Sequence, residues 1–585
     1  MEQVEEIEVC EKDPKSFRVR PFLTDYEEAY RSFPGWDAFK EEIAYFEDGT
    51  LNVAYNAVDK HMGTPREDKV AVHFEAADGN NRQFTYKELS EASNKCANML
   101  REVGIKRGDR VFLYLPRVPE VYHSFLGTLK TGAIAGTMFA AFGTDALLDR
   151  LGDSGACAVV TTPELKERLD QVRDQLPDLK HVIVVDNRGQ DVTLSEGDVS
   201  WSAMFDKQPA TFDAEHMSEE DYSFMLYTSG TTGKSKGVVH AHGDALQEHL
   251  TTKWVLDLHD EDMYWCTADH GWVTGVIYGI LGPLSNGITQ IMFEGRFDAD
   301  AWYQTIEKYK VTVWYTAPTA IRMLMRAGND IPAKYDLSSL RYLNSVGEPL
   351  NPEAVRWSME ICGLPFHDNW WQTETGSILI ANYQCMDIKL GSMGRPFPGI
   401  VAAVVDDNGR ELGPGEHGNL AIRPGWPAML KTIWHNQAKY DEYFKFGWYM
   451  PGDKAYLDSD GYFWFIGRAD DVIMTSGERV GPFEVESALV EHPAIAEAGV
   501  IGKPDMLRGE IIKAFVTLAD GYTASDELMD EVRRFVKARL AGHAYPREIE
   551  IVDTLPKTQS GKIMRRVLKA REMGLPVGDT ATMED

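Results

Sequence analysis

The stretch that decides the fold reads Asp221-Tyr-Ser-Phe-Met-Leu-Tyr227-Thr228-Ser229-Gly230-Thr231-Thr232-Gly233-Lys234-Ser235-Lys236-Gly237-Val238-Val239-His240. Its ends are apolar and its middle is rich in hydroxyls and glycine, which predicts a strand, a flexible loop and a second strand. Glycine lets the backbone fold closely around a ligand, while hydroxyls, amides and lysines donate to phosphate oxygens. The loop is therefore a candidate triphosphate clamp, although a plain hairpin turn is the simpler interpretation.

The loop is not a Walker A phosphate loop. That motif, G-x-x-x-x-G-K-[ST], would end on Gly233-Lys234-Ser235 and would require glycine where Thr228 stands. A strand, not a helix, is also predicted to follow. Both features disfavour a phosphotransferase.

Length and composition limit the classes of protein to which the chain can belong. A chain of 585 residues exceeds what one hydrophobic core supports, so at least two domains are expected. Apolar residues make up 43% and charged residues 26%, which is typical of a globular protein. A net charge of -31 repels phosphate backbones, so we expect no nucleic-acid partner.

Neither disulfides nor membrane insertion are predicted. The six cysteines are scattered without a C-x-x-C pair, which fits a reducing cytoplasm. The first residues are acidic and lack the apolar core of a secretory signal. The most apolar run, 131–143, is too short and too rich in glycine to span a bilayer.

The order of apolar runs predicts a large α/β body at residues 1–469. Residues 1–80 mix charge with aromatics and are expected to form an irregular leading segment. A capping box at Thr85 and Glu88 opens an amphipathic helix. Short apolar runs then alternate with helical segments, as in a layered body with a largely parallel sheet. Short strands near 401–405 and 419–422 predict a small β subdomain at its end.

The pattern changes after Gly467-Arg468-Ala469-Asp470-Asp471. We place a domain boundary and hinge at Asp470, followed by a smaller α+β domain over 470–585 that is large enough to fold alone. Its tail, 555–566, is polar and basic, and is predicted to be an exposed loop around Ser560-Gly561-Lys562.

Several further motifs pair glycine with polar or aromatic residues. They are Val346-Gly347-Glu348-Pro349, Asp368-Asn369-Trp370-Trp371-Gln372-Thr373-Glu374-Thr375-Gly376, Trp448 to Asp453, and Gly467-Arg468. In this order, with the hydroxyl-rich loop and the Ser-Gly-Lys562 tail, they resemble the adenylate-forming superfamily of acyl-CoA synthetases, luciferases and adenylation domains. The similarity is greatest to the AMP-forming acetyl-CoA synthetase family, through Leu51 to Asp59, Ala268 to Gly275, Asp368 to Gly376 and Leu555 to Arg566.

The resemblance implies a ligase that converts acetate, ATP and CoA to acetyl-CoA, AMP and pyrophosphate. A carboxylate is a poor acyl donor, so its attack on the α-phosphate of ATP creates an acyl-adenylate that the CoA thiol displaces. Catalysis of the first step is mainly positioning and charge neutralisation. By resemblance, the catalytic residue is Lys562, whose ammonium would offset charge on the α-phosphorus. A solvated tail lysine is the alternative.

The resemblance also implies the nucleotide and magnesium sites. Gly347, Glu348 and Pro349 would line one side of the adenine and Asp368 to Trp370 the other. Asp453 would accept from the ribose, Arg468 and Arg479 would neutralise phosphate, and Glu374 would bind Mg²⁺. For Asp453 and Arg468, a surface turn with an ion pair near the hinge is the alternative. The implied ATP-binding set is Thr228, Ser229, Gly230, Thr231, Thr232, Gly233, Lys234, Gly347, Glu348, Pro349, Asp368, Asn369, Trp370, Trp371, Gln372, Thr373, Asp453, Arg468 and Arg479.

By the same resemblance, Val273, Thr274, Val346 and Trp371 would form the acyl pocket. An indole at its end would exclude longer acids, since each buried CH₂ otherwise gains about 0.8 kcal/mol. A core role for Trp371 is the alternative.

The implied CoA contacts are Thr274, Ser476, Gly477 and Lys537. Lys537 stands where the family has arginine, and of an expected basic pair after Asp186 only Arg188 is present. A turn of the second domain about Asp470 would present these residues to CoA.

Three further expectations rest on the resemblance. A structural cation site would involve Val490, His492 and Ile495. Acetylation of Lys562 by a lysine acetyltransferase, reversed by a deacetylase, would stop adenylation by removing the charge. We also expect a monomer or small homo-oligomer.

Two other functions stay open at this point. A synthetase for propionate or another short or branched acid would share every nucleotide-binding residue. A catalytically silent nucleotide-binding relative would share the fold, because fold alone does not imply activity.

Overall fold

The computed structural model describes residues 7–186, 193–229, 235–475, 478–505, 508–519, 521–540, 544–558 and 562–577, with Thr580 and Met583. In this part of the chain two large sheets, a small antiparallel sheet and a C-terminal sheet follow one another. The predicted α/β body followed by a smaller α+β domain is confirmed.

The first large sheet has eight strands and carries the stretch quoted above. Six neighbouring strands run parallel, and the hairpin strand Ser235–Ala241 is antiparallel at one side. In spatial order the strands are Thr432–Ile433, Ser235–Ala241, Tyr222–Ser229, Ile134–Met138, Arg110–Tyr114, Ala158–Thr161, His181–Val184 and Asp198–Ser200.

The second large sheet has nine strands, and its centre is also parallel. Its order is Arg395–Pro396, Ile380–Ala381, Phe366–Trp370, Tyr342–Ser345, Val313–Thr316, Met263–Cys266, Thr289–Phe293, Val70–Glu75 and Arg82–Thr85. Val70–Glu75 falls in the stretch predicted to be irregular. Its alternating residues pair in parallel with Thr289–Phe293, so distant pairing makes a strand that the local sequence does not announce.

The small antiparallel sheet confirms the predicted β subdomain. Its strands are Phe444–Lys445, Trp448–Tyr449, Gly418–Ile422, Asp453–Leu457 and Phe463–Arg468, with Ala402–Val405 beside Gly418–Ile422. A two-stranded pair joins Val9–Cys10 to Ile388–Lys389.

The C-terminal sheet follows the turn that holds Asp470. Its strands are Glu478–Val480, Ile473–Thr475, Gly509–Leu518 and Ile495–Asp505, with Glu548–Ile551 parallel to Gly509–Leu518. The tail predicted to be an exposed loop is partly anchored, because Leu555 is buried and a helix begins at Arg565.

Helices cover the sheets. Those of the body are Tyr26–Arg31, Val53–Ala57, Tyr86–Glu102, Glu120–Lys130, Thr144–Ser154, Pro163–Asp170, Trp201–Met204, Ala245–Trp254, Val273–Val276, Gly282–Ser285, Ala299–Tyr309, Pro318–Ala327, Pro352–Cys362 and Gln437–Asp441, with a π-helix at Ile277–Leu281. Those of the C-terminal domain are Pro482–Val490, Asp526–Arg539 and Arg565–Met573. The predicted capping box is present, with Glu88 N donating to Thr85 Oγ1 at 3.2 Å and Thr85 N to Glu88 Oε2 at 2.8 Å.

The main core lies between the large sheets. Every residue of Glu120–Lys130 is buried, and Lys130 at its end pairs with Asp59 at 2.7 Å. No helix of the described ranges is long and apolar enough to cross a bilayer.

Candidate active site

The phosphate hairpin has the predicted strand, loop and strand arrangement. Ser229 and Ser235 face each other across the antiparallel pair, and the connecting residues 230–234 lie outside the described residues. Tyr227 donates its hydroxyl to Asp153 at 2.6 Å, and Ser235 donates to Asp149. Helix Thr144–Ser154 therefore fixes both strands where the loop leaves them.

The next motif forms a tight turn beside this hairpin. Thr373–Thr375 is a single 3-10 turn, closed by Gly376 at φ +65°. Lys236 Nζ lies 2.6 Å from Glu374 Oε1, and the Tyr443 hydroxyl donates to the same oxygen at 2.8 Å. Burial raises the pKa of the Glu374 carboxyl, but the Lys236 charge and these hydrogen bonds outweigh burial and bring it below its usual value.

The partners of Glu374 were missed at the level of sequence. Lys236 belongs to the quoted stretch, and its distance from Glu374 along the chain hides the pair. Tyr443 comes from the β subdomain, and no sequence signal points to it. The ion pair between Lys236 and Glu374 connects the second strand of the phosphate hairpin to the candidate magnesium ligand.

Asp453 is the most fully engaged carboxylate of the cleft. It is 3% exposed, and it accepts from Trp370 Nε1 at 2.9 Å and Gln372 Nε2 at 3.1 Å. Arg468 Nη1 donates to the other oxygen at 2.8 Å and also to Pro451 O at 3.0 Å. Three sequence-predicted residues from two motifs thus meet on Asp453.

The Gly347 loop lies at the carboxyl end of strand Tyr342–Ser345. Gly347 is exposed at φ +100°, a conformation that side chains disfavour, and nothing lies within 4 Å of where its Cβ would be. Glu348 accepts from Arg322 Nη2 at 2.7 Å and from Thr319. The backbone of the loop is therefore open toward the cleft, while the Glu348 side chain is held by the helix behind it.

Asp368 supports this loop from the neighbouring strand. Its carboxyl accepts from Ser345 Oγ at 3.1 Å and from Leu350 N at 3.2 Å, on either side of the loop. Burial raises the pKa of Asp368 to about 8. Asn369, next in the strand, accepts from the Tyr315 hydroxyl at 2.9 Å. Both side chains are therefore engaged by protein groups.

The candidate acyl-pocket residues fall together in one apolar cluster. Val273, Val346 and Trp371 are all buried members of the main core, and Thr274 follows Val273 in the same short helix. The Trp371 ring meets Tyr278 edge to face at 5.1 Å between centroids. The indole is thus held rigidly by its neighbours.

Lys562 belongs to the tail of the C-terminal domain. The residue is exposed to solvent, although nearby protein groups partly dehydrate its ammonium. The resulting loss of hydration lowers its pKa, and the charges of Arg468 and Arg565 add to this effect, whereas Glu348 and Asp453 oppose it. The tail lysine therefore lies within electrostatic reach of the predicted nucleotide residues.

Two contacts hold the tail and the domains in this arrangement. Arg565 Nε donates to Glu486 Oε1 at 2.7 Å, which anchors the tail to helix Pro482–Val490. Asn351 Nδ2 donates to Ser487 Oγ at 2.7 Å across the two domains.

The remaining candidates are less well defined by the structure. Ser476 and Gly477 lie outside the described residues, as does Arg188, and Arg479 is described only as part of strand Glu478–Val480. Lys537 lies in the last turn of helix Asp526–Arg539, with its ammonium 5.2 Å from the Tyr545 ring centre.

Val490, His492 and Ile495 span the turn between helix Pro482–Val490 and strand Ile495–Asp505, where His492 O accepts from Ile495 N at 2.9 Å. The described residues contain no group of three or more His, Cys, Asp or Glu side chains that could hold a metal. The six cysteines are all free.

Comparisons with known proteins agree with one another over nearly the whole chain. The sequence profile of the AMP-binding enzyme family matches residues 59–434, and that of the AMP-binding enzyme C-terminal domain matches 484–562. Acetyl-coenzyme A synthetase of Bacillus subtilis (strain 168) is 55% identical, over 96% of this chain and 98% of the relative. Acetyl-coenzyme A synthetase of Methanothrix thermoacetophila is 42% identical, over 98% of this chain and 92% of the relative.

Two solved structures share the fold. A Brucella canis acyl-CoA synthetase superposes with a TM-score of 0.74 at 36% identity, over 94% of this chain and 99% of that one. An anthranilate CoA ligase in complex with anthranoyl-AMP gives 0.82 at 31% identity, over 90% of this chain and 98% of that one. With its cleft, its two matched domains and these relatives, the chain belongs to the AMP-binding enzyme family.

Proposed function

We propose that this chain is an AMP-forming acetate–CoA ligase, which converts acetate, ATP and CoA to acetyl-CoA, AMP and pyrophosphate through acetyl-adenylate. The observation that carries this function is the 55% identity to an acetyl-coenzyme A synthetase over nearly the full length of both chains. The position of Lys562 beside the cleft supports it from the structure.

In the first step a carboxylate oxygen of acetate attacks the α-phosphorus of ATP and pyrophosphate leaves. Lys562 would stabilise the charge that builds up on the phosphorus-bound oxygens. Its charge interacts with those of Glu348, Asp453 and Arg468, which supports a role near the nucleotide phosphates. The phosphate hairpin would hold the β- and γ-phosphates through amides and hydroxyls, with Arg468 and Arg479 adding positive charge.

Asp453 is suited to bind the ribose. Its two oxygens already accept from Trp370, Gln372 and Arg468, which fixes the carboxylate in one orientation. A ribose hydroxyl would take a remaining lone-pair direction, since a carboxylate offers about four. The adenine would lie between the Gly347 loop and the strand that carries Asp368.

The residues around Glu374 fit a magnesium ion that arrives with ATP. Mg²⁺ takes one or two carboxylates together with substrate phosphates, so a single buried glutamate next to the phosphate hairpin is sufficient. Lys236 and Tyr443 engage Oε1, and Oε2 accepts no hydrogen bond within the described ranges. The ion would supply positive charge that offsets the charge of the phosphates.

In the second step the CoA thiolate attacks the acetyl carbonyl and AMP leaves. The tail must withdraw first, and the turn at Asp470 between strands Phe463–Arg468 and Ile473–Thr475 is a suitable hinge. One contact between the domains is the hydrogen bond from Asn351 to Ser487, a polar contact that can break during such a movement. Thr274, Ser476, Gly477 and Lys537 are our proposed CoA contacts.

Acetate preference would follow from Trp371. A buried indole that packs edge to face on Tyr278 would leave little room beyond a methyl group. We further propose a cytoplasmic location, which the free cysteines support, and acetylation of Lys562, which its exposure supports. The family resemblance supports a cation site at Val490, His492 and Ile495, and we propose a monomer or small homo-oligomer.

Product analysis tests the function directly. The purified chain would be incubated with ATP, Mg²⁺, CoA and acetate, propionate or butyrate, and AMP and acyl-CoA would be followed together. We expect equal amounts of AMP and acetyl-CoA, with acetate the preferred acid. Preference for propionate or butyrate would reassign the acid. ATP binding without AMP formation would indicate a silent relative, and ADP as product would indicate a phosphotransferase.

A further inference from the structure

A buried histidine links the two loops that the reaction uses for phosphate and metal. His240 stands near the end of strand Ser235–Ala241, whose first residues leave the phosphate loop, and it is fully buried. The strand pairing shifts register between His240 and Ala241. Such a bulge re-aims a side chain, and here the imidazole meets the Thr373–Gly376 turn of the body.

The contacts of His240 determine what the ring does. Nε2 lies 2.8 Å from the Thr373 carbonyl oxygen, and because a carbonyl can only accept, Nε2 carries the proton. Nδ1 lies 2.8 Å from Oδ2 of Asp244, a fully buried residue in the first turn after the strand. The carboxyl thus sets the orientation of the imidazole, and the imidazole holds the carbonyl of Thr373.

The turn fits closely over this ring. A Cβ on Gly376 would lie 2.7 Å from His240 Cε1 and would also collide with Ala428 O, so the glycine allows the close approach. The other carbonyls of the turn are held separately: Glu374 O accepts from Leu430 N at 3.0 Å, and Thr375 O accepts from Trp426 Nε1 at 2.8 Å. His240 is a second link, besides the Lys236–Glu374 ion pair, from this turn to the strand that leaves the phosphate loop.

We propose that His240, oriented by Asp244, is a positioning residue for adenylation that fixes Thr373 and Glu374 relative to the phosphate hairpin. This inference rests on the proposed function, since it assigns His240 to the first half-reaction. Misplacement of catalytic groups by about 1 Å can cost about 100-fold in rate. Transfer of the acetyl group from a preformed adenylate uses neither pyrophosphate contacts nor the metal, so it should not depend on His240.

The test compares His240→Leu with His240→Gln in the full-length protein. Leucine fills the space without a donor, whereas the glutamine amide keeps an N–H that can reach the Thr373 carbonyl. Two assays separate the half-reactions: exchange of labelled pyrophosphate into ATP with acetate, and single-turnover acetyl-CoA formation from supplied acetyl-AMP and CoA. For His240→Leu we expect kcat/KM for ATP in exchange to fall about 10- to 100-fold, with thioester formation within about 3-fold of wild type. His240→Gln should recover most of the loss.

His242→Leu is the matched control. His242 is equally buried two residues further on, but its Nδ1 accepts from Val53 N at 3.1 Å, away from the turn. Loss of folding stability alone should affect both half-reactions of this variant alike. Trp426→Phe removes the donor to the Thr375 carbonyl and should show a smaller loss than His240→Leu, again selective for pyrophosphate exchange. If His240→Leu does not fold, this variant tests whether the position of the turn matters for adenylation.

Three results would overturn the inference. The first is unchanged pyrophosphate exchange in His240→Leu or, if that variant does not fold, in Trp426→Phe. The others are equal losses in both half-reactions and a His240→Gln variant that is as impaired as His240→Leu. Failure of the proposed function is distinguishable, because wild-type protein would then show no acetate-dependent exchange at all.

Discussion

Asp453 and Lys562, the two charged side chains on which the proposed chemistry depends most, are held in opposite ways. Asp453 is 3% exposed and accepts hydrogen bonds from Trp370, Gln372 and Arg468. Lys562 is exposed on a tail, and it meets the cleft through the charges of Glu348, Asp453 and their neighbours. A nucleotide site benefits from rigidity, whereas a lysine that must withdraw between two half-reactions cannot be locked in place.

Removal of the tail charge is expected to have the largest effect. Lys562→Ala should lower acetate-dependent pyrophosphate exchange by about 100- to 1000-fold, since one preorganised charge at the phosphorus is lost. Acetyl-CoA formation from supplied acetyl-AMP should stay near the wild-type rate. Lys557→Ala, in the same tail but paired with Glu497 at 2.6 Å, is the control. Equal loss in both assays would make Lys562 structural and would erase the contrast with Asp453.

The rigid side of the comparison is tested at Asp453. Asp453→Asn should raise the KM for ATP about 10- to 100-fold, because hydrogen bonds to a charged group are worth about 1.5–3 kcal/mol. The Arg468 guanidinium would also lose its carboxylate partner, so the midpoint of urea unfolding should fall. Asp441→Asn, at an exposed site with one hydrogen bond from Gln437, should change neither quantity. An unchanged KM would remove Asp453 from the ribose site.

Trp371 tests whether rigidity also sets the choice of acid. Trp371→Gly should shift the preference from acetate toward butyrate in the exchange assay, since space for extra CH₂ groups becomes available at about 0.8 kcal/mol each. Stability should fall by about 3–5 kcal/mol, as for other deletions of buried aromatic side chains. Trp357→Gly, buried in a different apolar cluster, should lose stability without a change of preference. An unchanged preference in Trp371→Gly would place the indole outside the pocket.

The last prediction concerns the pH dependence of folding stability and the support of the Gly347 loop. Because burial raises the pKa of Asp368 to about 8, the folded protein keeps a proton that the unfolded chain releases near pH 4. Wild-type stability should therefore lose about 1.4 kcal/mol per pH unit through this group between these values. In urea unfolding, the stability of Asp368→Asn relative to wild type should rise across this window and level off above it.

Asp262→Asn should show the opposite dependence of stability on pH. Burial raises the pKa of Asp262, but the hydrogen-bonded Arg341 guanidinium outweighs burial and lowers it overall. Its contribution to stability is present above the pKa of the unfolded chain and is lost as pH falls. A pH-independent difference between Asp368→Asn and wild type would contradict a neutral carboxyl beneath the loop.

Local sequence signals predicted much of the fold. The capping box at Thr85 and Glu88 needs only residues three apart, and the phosphate hairpin needs only two apolar runs around a glycine-rich loop. Free cysteines were predicted from their spacing. Strand Val70–Glu75 was not predicted, because its identity depends on a partner strand more than 200 residues away.

The candidate site divides in the same way. Motif resemblance brought Asp453, Arg468, Glu374 and Lys562 to attention from the sequence. The partners that orient them were hidden: Lys236 and Tyr443 on Glu374, and His240 beneath Thr373. Each partner comes from an element other than that of the residue it orients, and a side chain on a strand or turn carries no local sign of the residues it will contact.

The sequence by itself determined which residues can bind phosphate, accept from a ribose or carry a mobile charge, because those abilities belong to the residue types and their local spacing. Only the tertiary structure decided that the charge of Lys562 interacts with those of Glu348 and Asp453, that Asp453 is fixed by three donors and that His240 holds the Thr373 turn. The physical reason is that hydrogen bonds and buried charges act over a few ångströms. Their partners are therefore chosen by the order of strands in the sheets and the packing of the two domains.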